Sequence, residues 1–152
     1  MKILTPNFKI ILSSIGIVFV LLSISLFAKG LKTSMMEFKV PDITLNSEHY
    51  LDALKWVYIH QIFIGGLIFF LGQSVTNLKH QRSITVFILI AISYYVYLDF
   101  RTSDSSFGNG LYQGEQSIIP GIINVVISIL LISLLISLNS KKKTNSMTMN
   151  EY

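Results

Sequence analysis

Phe8 to Ala28 reads FKIILSSIGIVFVLLSISLFA, 21 residues with one charge, Lys9, near the start. At about 1.5 Å per residue, such a helix covers roughly 30 Å, the thickness of a bilayer's hydrocarbon core. The run is apolar on every side, so in water it would need a large protein shell to bury it. A chain of 152 residues is too short to provide that shell. Only 13% of its residues are charged, against roughly 25% in soluble domains. Lipid does the burying instead.

Outward from this run, the pattern returns three times, at 53–72, 83–99 and 117–138, with charges crowded between the runs. The third run is at the short end and uses its tyrosines to finish the crossing among headgroups. The prediction is an all-α integral membrane protein, a four-transmembrane-helix up-down bundle. Residues 1–139 form one domain with spans at about 8–28, 53–72, 83–99 and 117–138, and 140–152 form a polar, unstructured cytoplasmic tail. A cleaved signal peptide is the competing reading of the first run, since Lys2 and Lys9 supply a basic start. Its apolar part exceeds the usual ~7–15 residues, and Leu26-Phe27-Ala28 lacks a small residue two places before Ala28. The retained helix is the reading adopted.

Basic flanks set the direction. Lys2, Lys9, Lys79, Arg82, Lys141, Lys142 and Lys143 make seven of the twelve basic residues and fall on one side. Lys29, Lys32, Lys39, Lys55 and Arg101 fall on the other, spread over longer loops. The expectation is a bacterial inner (plasma) membrane protein with both termini cytoplasmic. The net charge of +4 does not indicate nucleic acid, because the basic residues flank apolar runs and form no stripe on a soluble domain. The absence of cysteine excludes disulfides, thiolate catalysis and cysteine metal sites. No internal repeat supports an inverted-repeat transporter. A proton-coupled carrier is disfavoured too, because no run has an ionisable group at mid-depth.

Cap chemistry fixes some boundaries. Ser47, with Glu48 and Asp52 after it, starts the second helix before it enters the membrane. Ser117 caps the fourth helix and puts Pro120 in its first turn, where a missing N–H costs nothing. Between the first two spans, Met35, Met36, Phe38 and Val40 precede Pro41, with Ile43 and Leu45 alternating after it. That pattern suits a short strand or a segment lying in the interface. Asn109-Gly110 between apolar residues suggests a tight hairpin turn in the last loop. Ser13, Ser14, Gly16, Gly65, Gly66, Gly121 and Ser128 are the candidate close-packing residues, and Asn124 is polar glue within helix four.

The topology gathers the unusual residues at the outer edge. Trp56 and Tyr58 enter there, with His60 and Gln61 a turn deeper. Tyr94, Tyr95 and Tyr97 exit at the same level, followed by Asp99 and Arg101, and the last loop adds Asp104, Tyr112 and Glu115. Aromatic belts are ordinary in membrane proteins. His60 and Gln61 are not, because their polar atoms need partners below the interface. The plain account is an interhelical hydrogen bond; the functional one is a ligand-contacting or proton-accepting His60. Trp56, His60, Gln61, Tyr94, Tyr95, Arg101 and Tyr112 are the ligand-binding candidates. No metal site is expected: Glu48, His49 and Asp52 make an incomplete set, and His49 and His60 lie roughly 16 Å apart along one helix. Nothing calls for a cofactor.

Two functions follow. One is a non-enzymatic accessory subunit, or a lipid- or small-ligand-binding protein, whose partners are membrane lipids and a protein partner or second copy. The other is a membrane-embedded enzyme acting on a lipid or isoprenoid headgroup, with His60 as acid or base, Asp99, Asp104 and Glu115 as proton carriers, and Arg101 holding an anion.

Overall fold

A computed structural model describes residues 7–37, 40, 42–103 and 119–149, with backbone alone at 99–103, 119–120 and 142–149. All regular structure among the described residues is helical. In chain order the helices are α1 (Phe8–Lys29), α2 (Leu31–Glu37), α3 (Asp42–Leu45), α4 (Glu48–Ser74), α5 (Leu78–Ser103) and α6 (Ile119–Met149). Of these, α1, α4, α5 and α6 are long and apolar enough to cross a membrane. The fold is an all-α, four-helix membrane bundle.

Caps mark the ends as the sequence required. Asn7 Oδ1 accepts from Lys9 N at 3.0 Å, and Ser47 Oγ accepts from Tyr50 N at 3.4 Å. Gly30 closes α1 with φ 89°, a conformation that side chains rarely adopt. Asn77 Oδ1 receives Lys79 N and His80 N at 2.9 and 3.3 Å, so the three-residue turn 75–77 restarts the helix at once. Pro120 falls in the first turn of α6; its proposed cap, Ser117, lies outside the described residues.

The helices associate as two pairs. α1 packs along α4, α5 packs along α6, and α1 touches α6 to join them. The α1–α4 pair is antiparallel: Leu12 and Ser13 lie beside Gly72, Gly16 beside Gly65, and Phe27 beside Tyr58. Backbones nearly touch at its centre. A Cβ on Gly16 would stand 2.5 Å from the Gly65 carbonyl oxygen, and one on Gly65 would stand 2.8 Å from the Gly16 carbonyl oxygen. With water absent there is little hydrophobic force between helices, so close van der Waals contact and polar bonds hold them. Gln73 Nε2 supplies one such bond, donating to Ser13 Oγ at 2.7 Å.

Not every small residue serves this seam. Gly66 has nothing within 4 Å of where a Cβ would sit, and Ser14 is exposed, so neither is a packing residue within this chain. They lie beside the seam residues in sequence but point away, because a helix turns about 100° per residue. Gly72, which the small-residue reading missed, is buried against Leu12 and Ser13.

Two apolar cores result. The larger joins Phe8, Leu12, Ile15 and Phe19 of α1 to Ile68, Ile88, Ile92 and the α6 residues Ile127, Leu131, Leu134 and Leu138. It occupies the half of the bundle where α1 begins. The smaller joins Leu31, Met35, Val40, Leu45 and Leu54, with Phe27 and Tyr58 against it.

The smaller core corrects the reading of the first loop. The described residues of this segment form the short helices α2 and α3 in place of the alternative of a strand, and they pack against the ends of α1 and α4. Met35 and Leu45 are 1% and 2% exposed. A second difference lies at the other end of the chain. α6 continues past Leu138 through Lys141, Lys142 and Lys143 to Met149, where the composition suggested an unstructured tail. Ser140 Oγ donates to the Ile136 carbonyl across this boundary at 3.1 Å, and the helix already nucleated in the bundle propagates outward.

Candidate functional site

The first four turns of α4 present two different faces. Leu54 and Tyr58 turn to the smaller core, Tyr58 meeting Phe27 edge-on at 6.4 Å between ring centres. Asp52, Lys55, Trp56, Ile59 and His60 turn away from α1. Trp56 is 68% exposed. Asp52, Lys55, Trp56 and Ile59 line an open groove of about 370 Å³. Within it Lys55 Nζ and Asp52 Oδ1 pair at 2.7 Å, one helical turn apart.

His60 stacks on Trp56, ring centres 5.5 Å apart and tilted by 30°. Its Nδ1–H donates to the Trp56 carbonyl at 2.7 Å. The expected interhelical bond is therefore not the one formed. An i→i−4 bond inside α4 satisfies one ring nitrogen, so the histidine faces outward without a partner on another helix. Nε2 is left as an acceptor when the ring is neutral.

Gln61 is half-buried, in the α1–α4 seam, and makes no hydrogen bond among the described residues. Ser23 of α1 holds a fully buried, unpartnered hydroxyl. On α1, Ser23 lies between the Gly16 and Phe27 contacts, as Gln61 lies between Gly65 and Tyr58 on α4.

The tyrosines of α5 form a separate group. Tyr94 stacks on Tyr97 at 6.2 Å, and Tyr94, Tyr95 and Tyr97 are all exposed. Among the described residues no ring contact links Trp56 or His60 to Tyr94 or Tyr95, because α4 packs on α1 and makes no comparable contact with α5. Asp99 and Arg101 are described by backbone only, at the end of α5. Asp104, Tyr112, Glu115 and the Asn109-Gly110 turn lie outside the described residues.

The chain matches no family model, no curated protein and no solved structure.

Sequence reasoning overlooked two members of the groove. Asp52 counted as a capping charge and as part of an incomplete metal set, and Lys55 as a topology marker. The signal was present: opposite charges at i and i+3, immediately before the only tryptophan of the chain. Chemically, the groove offers an anion, a cation and an indole face within one turn. The described residues contain no group of three His, Asp or Glu placed to hold a metal ion, and no carboxylate pairs with His60.

A second groove, of about 220 Å³, lies between α5 and α6, lined by Ser93, Val96, Val125, Ser128 and Ile129. Ser128 Oγ is spent on the Asn124 carbonyl at 2.9 Å, so the lining is effectively apolar.

Proposed function

We propose that this is a non-enzymatic membrane protein that binds a zwitterionic phospholipid, or a small amphipathic molecule of the same charge pattern, at the outer end of α4. In this reading it sits in a bacterial inner membrane with both termini cytoplasmic, as the basic flanks require. The carrying observation is the groove in which the Asp52–Lys55 pair stands beside the exposed Trp56. A zwitterionic headgroup has a phosphate for Lys55, an ammonium for Asp52 and a glycerol ester level that suits an indole. The pair is exposed and by itself stabilises little, so exchanging it for headgroup contacts costs little. No observation favours the enzyme reading: His60 spends Nδ1 on its own helix and has no carboxylate behind it.

Trp56, the single tryptophan, is the probe. Titrating phosphatidylethanolamine into the detergent-solubilised protein should shift Trp56 emission to the blue and saturate. Lys55→Ala should weaken the apparent affinity about fivefold, the scale of one cation at a lipid surface. A linear, unsaturable response, with the protein running as a lone, lipid-free monomer, would remove the proposal.

A further inference from the structure

The unexplained charge in this molecule is Arg82, in the second turn of α5. The inward stripe of α5 runs through Leu78, Gln81, Arg82, Thr85, Ile88 and Ile92, all buried or half-buried, while Lys79, His80, Ser83 and Phe87 face out. Arg82 therefore stands in the packed stripe, one turn before Thr85, which is 0% exposed. Its Nε is buried without a hydrogen-bond partner, and no other described residue pairs with its guanidinium.

The neighbouring polar groups are already committed. Gln81 Nε2 donates to the Val75 carbonyl at 2.9 Å, Thr85 Oγ1 to the Gln81 carbonyl at 2.7 Å, and Asn77 Oδ1 accepts from the α5 N-terminus. No acid is at hand. Glu37, Asp42, Glu48 and Asp52 lie at the opposite end of the bundle, Asp99 stands in the last turns of α5, and Asp104, Glu115 and Glu151 lie outside the described residues. Lys9, Lys79 and Lys141 share this end of the bundle, are exposed, and make no ion pair among the described residues. A half-buried arginine whose Nε is buried without an acceptor calls for an anion from outside the chain.

We propose that Arg82 binds the phosphate of an anionic phospholipid in the leaflet at this end, with Lys79 and Lys141 supplying long-range attraction. The planar guanidinium fork fits two phosphate oxygens. Arg82 stands immediately before the apolar run that opens at Ser83, the level at which a spanning helix meets lipid phosphates. Val86 and Ile90, 39% and 65% exposed one and two turns along α5 from Arg82, offer apolar surface for the acyl chains. This site is at the other end of the bundle from the α4 groove and does not depend on it.

The test uses the full chain in mild detergent, with phosphatidylglycerol and phosphatidylcholine titrated separately and read by native mass spectrometry. Phosphatidylglycerol should bind about tenfold more tightly, because phosphatidylcholine sets a choline cation beside the phosphate that Arg82 would hold. Arg82→Gln should bring the two lipids within about twofold, and Arg82→Lys should keep an intermediate preference, because lysine retains charge without the fork. Should Arg82→Gln fail to fold, the unaltered protein still decides. Its melting temperature should rise with phosphatidylglycerol and not with an equal amount of phosphatidylcholine. Selectivity that survives in Arg82→Gln, or no selective rise in the unaltered protein, overturns the proposal. So does inorganic phosphate that displaces the lipid at equal concentration, since it would make free phosphate the ligand.

Discussion

Gly16→Leu should cost the folded bundle about 3 kcal/mol or more, at the upper end of overpacking penalties. The reason lies in which atoms resist. A side chain at this position meets the Gly65 carbonyl and the Phe69 amide, both backbone, so no flexible group can swing aside. α1 and α4 would have to separate, losing the Gln73–Ser13 bond and the contacts around Gly72 together. Gly66→Leu is the matched control, because open space surrounds that position. It should change stability by no more than about 1 kcal/mol, with helix propensity favouring leucine over glycine. Reversible unfolding of both variants in the same detergent measures the difference. Equal stabilities would mean that the α1–α4 seam is not formed as described.

The second large effect belongs to the smaller core. Met35→Ala should destabilise the α2–α3 cap by about 2–4 kcal/mol, the range for emptying a buried position of this size. Met35 is 1% exposed and packs with Leu31, Val40, Leu45 and Leu54. Surface contacts cannot compensate: Lys29–Glu37 at 2.7 Å and Lys32–Asn46 at 2.8 Å are exposed and contribute little. The expected result is local. Amides of α2 and α3 should exchange with deuterium roughly 30- to 1,000-fold faster, following the opening equilibrium, while α5 and α6 keep their protection. Ile43→Ala, at an 85% exposed position, should leave exchange unchanged.

The bundle was legible because its signals are long. A 21-residue apolar run outweighs any local ambiguity, and charges between runs mark every connection. Ser47 was readable as a cap because capping needs one oxygen at one position. The pairing of helices was not readable. Gly16, Gly65 and Gly66 look alike in sequence, and only the rotation of each helix decides which glycine meets a neighbour. The loop at 31–45 misled because apolar residues around Pro41 satisfy strand alternation and helical packing almost equally well.

The site was legible only in part. Trp56 and His60 stood out as types, yet the partner of His60 is a backbone carbonyl of its own helix, which no residue pattern announces. Arg82 passed as a topology marker because its sequence context resembles that of Lys79. The inward turn of its side chain is a property of the packed bundle.

The proposed topology has four crossings, with the α4–α5 turn on the cytoplasmic face and the α2–α3 cap outside. The chain has no cysteine, so one introduced thiol reports alone. Asn46→Cys and Thr76→Cys flank α4 at its two ends. With an impermeant maleimide on intact cells, Asn46→Cys should label directly and Thr76→Cys only after permeabilisation. Labelling of both from the same side would mean that α4 does not cross the membrane, which contradicts the four-crossing topology.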